Sequence, residues 1–512
     1  ESLFLHDNPG LLLSPAVLGA DPRKTMPGQT PRYASAKSIL EFYFARQSGK
    51  TRPLNEARLI LLGRSGAGKT SVAQALRDLP FHEREDSTPG IALGGMTLDG
   101  VGEAAVTVHL WDFSGQEISH ALHPLFFSER CVYMVVLAGH GHREREDADY
   151  WLRLIREFGS DAQGQGPPVI VAMNQWNVPA GRPEVDRGAL RDQYPFIRGF
   201  VEMDCKTRKG IPVLNAALCR ELERMPWVHE PFPEEWDAVR RTLAAGGMRW
   251  THLSYDAYRE LCVEHGVSDE GQQDYLADFL HHLGIALNFR NDPRLRDDTL
   301  LRPDWLTKHA YALRHRAQLQ AGVLTRADLE MTLYPESDEA ARACLLRVLE
   351  GFGLVRELRS EAGGGWLFPA ALPDAPQSPP EAFRDAEHAE QQRYIYQELP
   401  DGLVARIIAR RYDFVEEARA RKQQWRDAVV LLRKGARAWI RTDPRHRQLL
   451  VTVIGSNKPR RQFAALCQAE MRDIHAAIPG PEPAAEILID GAWVPAPLPP
   501  PATPEAAPEA TH

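Results

Sequence analysis

The sequence predicts an α/β domain built on a parallel sheet, followed by a two-part α+β region whose first half is winged-helix-like. Three observations predict it. Short apolar runs alternate with helical stretches from about Asn55 to Arg224. A Gly-rich loop joins the first of these runs to the first helix. After the Pro-containing stretch His229 to Pro233, helices are instead followed by pairs of short strands.

Taken in order, Arg58 to Leu62 reads as a strand, Gly63 to Thr70 as a loop and Ser71 to Leu79 as a helix. Val106 to Trp111, Val132 to Leu137 and Val169 to Met173 are further apolar strands, with Asp149 to Glu157 as a crossover helix. From Ser254 to Trp366 the helices Tyr275 to Leu283, Asp304 to Leu313 and Ala340 to Phe352 alternate with strands such as Ile285 to Phe289 and Leu354 to Leu358. No basic run marks a recognition helix there, so packing is expected and nucleic acid is not. Leu372 to Pro380 holds four prolines and reads as a linker. The strands Ala428 to Leu432, Ala438 to Ile440 and Leu449 to Val453 form a meander that leads into a helix from Lys458 to Ile474. Beyond Pro479 the Pro/Ala/Glu-rich chain is expected to be disordered, apart from one short strand at Glu486 to Ile489.

Composition excludes some classes. The 512 residues are 43% hydrophobic and 25% charged, as in ordinary globular proteins. No stretch of about 18 apolar residues predicts a membrane span, and the start has no signal-peptide pattern. The start at Glu1 reads as that of a fragment. Six dispersed cysteines show no metal spacing and fit a reducing cytoplasm. Arg393 to Asp473 carries 18 basic against 9 acidic residues, although the whole chain is at -8. That region suits an acidic partner, a membrane surface or nucleic acid, or else a solvated face docking on the chain's own acidic remainder, and the last reading is favoured.

Gly63-Arg64-Ser65-Gly66-Ala67-Gly68-Lys69-Thr70, continuing into Ser71, matches G-x-x-x-x-G-K-[ST] between a strand and a helix. Glycines let backbone N–H groups approach phosphates, and the helix start favours their charge. Lys69 is expected on the β- and γ-phosphates and Thr70 on Mg²⁺. The strand Val108 to Trp111 runs into Asp112-Phe113-Ser114-Gly115-Gln116. In this D-x-x-G-Q pattern Asp112 would hold Mg²⁺ through water, Gly115 would meet the γ-phosphate and Gln116 would orient an attacking water. Thr88, in Ser87-Thr88-Pro89-Gly90, is the candidate to close over Mg²⁺; its other reading is a surface turn. D-x-x-G-Q separates the chain from P-loop ATPases, which tend to end this strand in paired acids.

Base selection reads less cleanly. Val169 to Met173 ends in Asn174-Gln175-Trp176-Asn177, where N-K-x-D would select guanine. Asn177 offers one acceptor and one donor where Asp would accept twice, and a mismatched pair costs about 1–3 kcal/mol. The same Asn suits the extra oxygen of xanthine. Asp204-Cys205-Lys206-Thr207 resembles an S-A-K loop, in which the backbone N–H groups of Cys205 and Lys206 would meet the base oxygen. GTP and GDP are the expected ligands, with relaxed specificity as the alternative.

The order of these motifs resembles the Roco family, in which a Ras-like Roc GTPase domain precedes a COR domain. Leu301-Arg302-Pro303-Asp304-Trp305-Leu306-Thr307 is similar to a COR signature, as are Gln272 to Phe289, Gly322 to Thr325, Trp366 to Pro369, Leu399 to Leu403 and Trp425 to Val429. Leu3 to Pro9 resembles one leucine-rich repeat. The resemblance implies a leucine-rich-repeat end over 1–20, a linker over 21–54, a Roc domain over 55–226 and the first half of COR over 234–371. A linker over 372–388, the second half of COR over 389–479 and a disordered tail over 480–512 complete the expected division. It also implies slow GTP hydrolysis, a homodimer through the second half of COR, unidentified protein effectors and an Arg at the Roc dimer contact. Arg143 or Arg145 could supply that Arg; their plainer reading is a mixed-charge helix start.

Overall fold

A computed structural model describes residues 51–83, 90–102, 104–113, 126–139, 144–161, 164–174, 183–246, 251–289, 295–334, 339–358, 364–376, 378–384, 389–396, 399–400, 402–418, 421–476, 483–489 and 491–496, with residues 5, 36, 39, 40 and 43. Two compact units divide the chain: 1–309 with 337–347, and 310–336 with 348–512.

In the first unit β1 (Thr51–Pro53) precedes the nucleotide-type domain. That domain contains β2 (Glu56–Leu62), α1 (Lys69–Leu76), β3 (Ile91–Val101), β4 (Ala104–Phe113), β5 (Val132–Ala138), α2 (Glu144–Gly159), β6 (Val169–Asn174), α3 (Arg187–Gln193), β7 (Ile197–Met203) and α4 (Ile211–Glu223). The sheet order is β3-β4-β2-β5-β6-β7. All pairs are parallel except β3–β4, a hairpin that adds an antiparallel edge to the predicted parallel sheet. Its Gly94 and Gly95 and its half-exposed pattern give β3 a weak strand signature, which explains why the sequence did not announce it. All seven residues of β2 are buried, as expected for a parallel strand covered on both faces.

The same unit continues with β8 (Pro231–Pro233), paired with β1, and α5 (Glu234–Gly246). The expected linker over 21–54 therefore ends in a paired strand. Next come β9 (His252–Ser254), α6 (Tyr255–Glu264), α7 (Glu270–Leu283), β10 (Leu287–Asn288) and β11 (Asp298–Leu300). Ser254 caps α6 through the Ala257 N–H, and Asp269 caps α7 through the Gln272 N–H. β9 pairs with β11, the second strand of the hairpin. After α8 (Pro303–Leu319) the same order recurs: β12 (Val323–Thr325), α9 (Arg326–Leu333), α10 (Glu339–Gly351), β13 (Arg356–Leu358) and β14 (Gly365–Leu367), with β12 paired to β14. This strand–helix–helix–hairpin order is the winged-helix-like pattern expected.

The second unit is completed by β15 (Glu390–Ile395), α11 (Leu403–Arg411), β16 (Glu417–Ala418), β17 (Arg421–Lys422), β18 (Ala428–Arg433), β19 (Ala436–Asp443), β20 (Gln448–Ile454), α12 (Asn457–Ala476), β21 (Ala484–Ile489) and β22 (Ala492–Pro495). Its antiparallel sheet runs β18-β19-β20-β15-β21-β22. Ile407, Ile408, Phe463 and Met471 pack into its core. β21 contains the short strand expected at Glu486 to Ile489, while β22 corrects the disorder expected beyond it as far as residue 496. Four main-chain pairs tie β21 to β15, Arg393 stacks over Trp493 at 4.3 Å, and its guanidinium reaches Glu486. The expected linker after 372 also packs onto this unit, where Ala375 N–H donates to Asp427 at 2.7 Å. No helix among the described residues is long and apolar enough to cross a membrane.

Candidate functional site

The Gly-rich loop is set by its two ends. β2 delivers it from the buried centre of the sheet, and α1 begins at Lys69 with Gly68 in the left-handed region (φ 89°). A Cβ at Gly68 would lie 2.3 Å from Asn174 Nδ2, so only glycine fits. Asn174, at the buried end of β6, donates Nδ2 to the Ala67 carbonyl at 3.2 Å. Its buried Oδ1 finds no partner among the described residues. Ser65 and Gly66 stay exposed, Ser71 is half-buried on α1, and no acidic side chain stands in the first turn of α1. The loop can therefore present N–H groups and helix-end charge to an anion.

Lys69 is buried, and its amine donates to the carbonyls of Gly63 and Arg64, both at 2.8 Å. The amine is thus folded back over the loop it belongs to. Burial lowers its pKa to about 8, against the opposing pull of Asp112. Thr70 donates its hydroxyl to Asp112 Oδ2 at 2.6 Å. Asp112 reaches Thr70 because β4 runs beside β2 in register, Leu61 against Asp112. A hydroxyl and a buried carboxylate in contact form a hard-oxygen pair suited to Mg²⁺. Arg64 also pairs with Asp147 in the first turn of α2 at 2.6 Å.

The loop after β7 is fixed by a residue whose role the sequence pattern does not reveal. Asp204 Oδ1 accepts from the N–H groups of Lys206 at 2.9 Å and Thr207 at 3.0 Å. The Lys206 N–H, expected on a base, is thereby engaged. The Cys205 side chain belongs to the hydrophobic core, where burial pushes its thiol up to about 12. Lys206 Nζ reaches Glu83 at 2.5 Å.

The structure thus assembles Gly63 to Thr70, Asp112 and Asn174 into one site. Thr88, Gly115, Gln116, Arg143, Gln175 and Asn177 lie outside the described residues, as does the repeat-like stretch from Leu3 to Pro9 apart from Leu5.

The reverse face of the same strands also goes unannounced in the sequence. Arg58 on β2 is fully buried, its guanidinium 4.9 Å from the Trp111 ring and 3.5 Å from the His281 carbonyl at the end of α7. Its Nε and Nη2 find no acceptor among the described residues. Burial and this cation hold His281 neutral, its pKa lowered to about 4, and its Nδ1 accepts the Asn288 N–H. His282, lowered further by burial and by Arg130, pairs with Ser128 at 2.6 Å. An arginine inside the run Arg58-Leu59-Ile60-Leu61-Leu62 was the available signal.

Three family models match the chain. Residues 58–177 match "Ras of Complex, Roc, domain of DAPkinase", 233–372 match "C-terminal of Roc, COR-A domain", and 388–498 match "C-terminal of Roc, COR-B domain". The solved structure of Methanosarcina barkeri Roco2 RocCORdC bound to GDP is 31% identical with a TM-score of 0.53, covering 63% of this chain and 97% of that one. A Roc-COR-CHAT protease from an unknown prokaryotic organism is 23% identical over 86% of this chain, which spans 42% of that relative's length. The Ras-related protein RABF2b of Arabidopsis thaliana is 29% identical over 34% of this chain and 85% of its own length.

Proposed function

The chain belongs to the Roco family of Roc–COR proteins, and from that premise we propose that it is a guanine-nucleotide switch that hydrolyses GTP slowly and needs Mg²⁺. One observation carries the reading: a loop braced by Asn174, with Lys69 folded over it and Thr70 held against Asp112. Mg²⁺ would neutralise phosphate charge and orient the phosphate oxygens, held by Thr70 and Asp112. Lys69 exchanges its two loop carbonyls for phosphate oxygens, and the N–H groups from Ser65 to Thr70 surround them. Thr88, Gly115 and Gln116 are proposed to sense the γ-phosphate and position water, with Arg143 or Arg145 assisting from a second copy. The Cys205 N–H is the proposed contact to the base oxygen. The switch is proposed to act in the cytoplasm on unidentified effectors, as a homodimer through the second half of COR. The similar Methanosarcina protein is bound to GDP, which supports guanine as the base.

Phosphate release from GTP should require Mg²⁺ and vanish in Lys69→Ala; a wild-type chain that releases none overturns the enzyme reading. Asn177 in place of Asp favours a second reading, a hydrolysis-deficient scaffold with relaxed base specificity. Tight binding without turnover, measured by calorimetry with GTP, GDP, XTP and ATP, would select it.

A further inference from the structure

The cysteines show no metal spacing along the sequence, yet one of them meets two other metal-ligating side chains in space. His252 begins β9, Asp298 begins β11 and Cys344 lies on α10. Their ligand atoms stand within 4.8 Å of one another. The backbone explains the meeting. Leu300 pairs with His252 and Asp298 with Ser254, so His252 and Asp298 are diagonal neighbours on one face of the sheet, within reach of a long side chain. His252 Nε2 lies 2.7 Å from Asp298 Oδ1. α10 brings Cys344 to this pair. Arg347, one turn further on, reaches the same carboxylate, with Nε 3.1 Å from Oδ2 and Nη2 2.6 Å from Oδ1.

The three groups share the chemistry of one ion. An imidazole nitrogen, a carboxylate oxygen and a thiolate sulfur are donors that Zn²⁺ takes together, whereas Mg²⁺ and Ca²⁺ take oxygen. A tetrahedral Zn²⁺ holds such ligands about 2.0–2.3 Å away, and so about 3.2–3.8 Å from one another. The 2.7 Å pair has to open and the widest separation has to close, each by about 1 Å or less, within the reach of side-chain rotation. Asp298 and Cys344 are buried, and the partly exposed His252 gives the ion its entry path, with water as the fourth ligand. The charge of Arg347 opposes the ion, but two anionic ligands, Asp298 and the thiolate, outweigh it. Arg347 then serves as the hydrogen-bond donor that orients a ligating carboxylate.

We propose that His252, Asp298 and Cys344 form a Zn²⁺ site that staples β9 and β11 to α10. On binding, the thiol proton leaves to solvent and the sulfur bonds to the ion. With the imidazole proton on Nδ1, Nε2 is free to coordinate. The site shares no residue with the nucleotide site.

The test is titration of the metal-free, reduced full chain with Co²⁺, a spectroscopic stand-in for Zn²⁺, for wild type, Cys344→Ser and His252→Gln. Wild type should show the near-ultraviolet charge-transfer band of a thiolate bound to Co²⁺, and added Zn²⁺ should erase it. Cys344→Ser should lack the band, and His252→Gln should weaken the affinity at least about tenfold. Ion held by Thr70 and Asp112 gives no such band, because neither carries sulfur. Zn²⁺ should also raise the melting temperature of wild type and leave that of Cys344→Ser unchanged. If Asp298 serves only as the ion-pair partner of Arg347 and His252, wild type shows no band and no thermal shift, and that result overturns the site. A band that survives in Cys344→Ser overturns it too. Should Cys344→Ser not fold, His252→Gln decides: weakened affinity supports the site, and unchanged affinity overturns it.

Discussion

The two faces of the β2–β4 strand pair are built by different rules. On the phosphate face Lys69 meets carbonyls five and six residues back, and Thr70 meets Asp112 on the adjacent strand. On the reverse face Arg58 meets a carbonyl 223 residues away, and near the strand ends Ile91 meets a hydroxyl 216 residues away. The first set assembles as the α/β domain folds. The second exists only once the segment from α7 to α8 has packed on it, because distant contacts require closure of a long loop. Trp111 and Asp112, adjacent on β4, belong to opposite faces, so a shift of that strand is felt on both.

The sharpest way to break this division is to cut each face alone. Trp111, buried between Arg58 and Phe126, should cost about 3–5 kcal/mol when truncated to Ala. The loss would be read as a lower denaturant midpoint of the nucleotide-free chain. Lys69→Ala removes a buried cation and should leave that midpoint unchanged or raise it, while abolishing nucleotide binding. If Lys69→Ala unfolds the chain and Trp111→Ala does not, the faces have been assigned the wrong roles.

Legibility follows the same division. The placement of the loop between β2 and α1, and of Asp112 and Asn174 at the ends of β4 and β6, could be read from the sequence because strand, glycine spacing and helix start are local signals, whereas the bond from Asn174 to the Ala67 carbonyl 107 residues away could not. The four predicted strands around them match the sheet to within two residues at each end. What escaped reading depends on distant partners. Thr307 looked like part of a packing signature, and only its contact with Ile91 shows why a hydroxyl stands there. Arg58 looked like the start of an apolar strand, and only α7 accounts for its burial. β3 was hidden by two glycines, and β22 by the Pro-rich sequence that follows it.

A further test addresses the part of the phosphate face that rests on sequence. Asn177→Asp restores two acceptors for the Watson–Crick edge of guanine and removes a donor that faces a donor. The ratio of GTP to XTP affinity should rise about ten- to a hundredfold, from the cost of one mismatched polar pair. An unchanged ratio in competition titrations would place base selection elsewhere, with the loop that Asp204 holds as the next candidate.

The smallest effect expected is a pH dependence, and it isolates Lys69 from every long-range contact. Burial lowers this amine from 10.5 to about 8, and phosphate oxygens would raise it again. Below pH 8 the amine is charged before and after binding, so no proton moves. Above pH 8 binding takes up a proton, and affinity should fall by up to about tenfold per pH unit until the pKa of the complex is reached. Stability of the nucleotide-free chain should move the other way. Between about 8 and 10.5 the unfolded chain holds more protons than the folded one, so stability rises with pH through that window, and the full penalty sits below it. The Cys205 thiol, held up at about 12 by burial, stays out of this range. Calorimetry of GDP binding at pH 9, in two buffers of different ionisation heat, should show uptake approaching one proton, and at pH 7 almost none. Equal heats in both buffers at pH 9 would mean that the Lys69 amine is already free of its burial penalty, and that the loop reaches its phosphate-binding form with the amine turned to solvent.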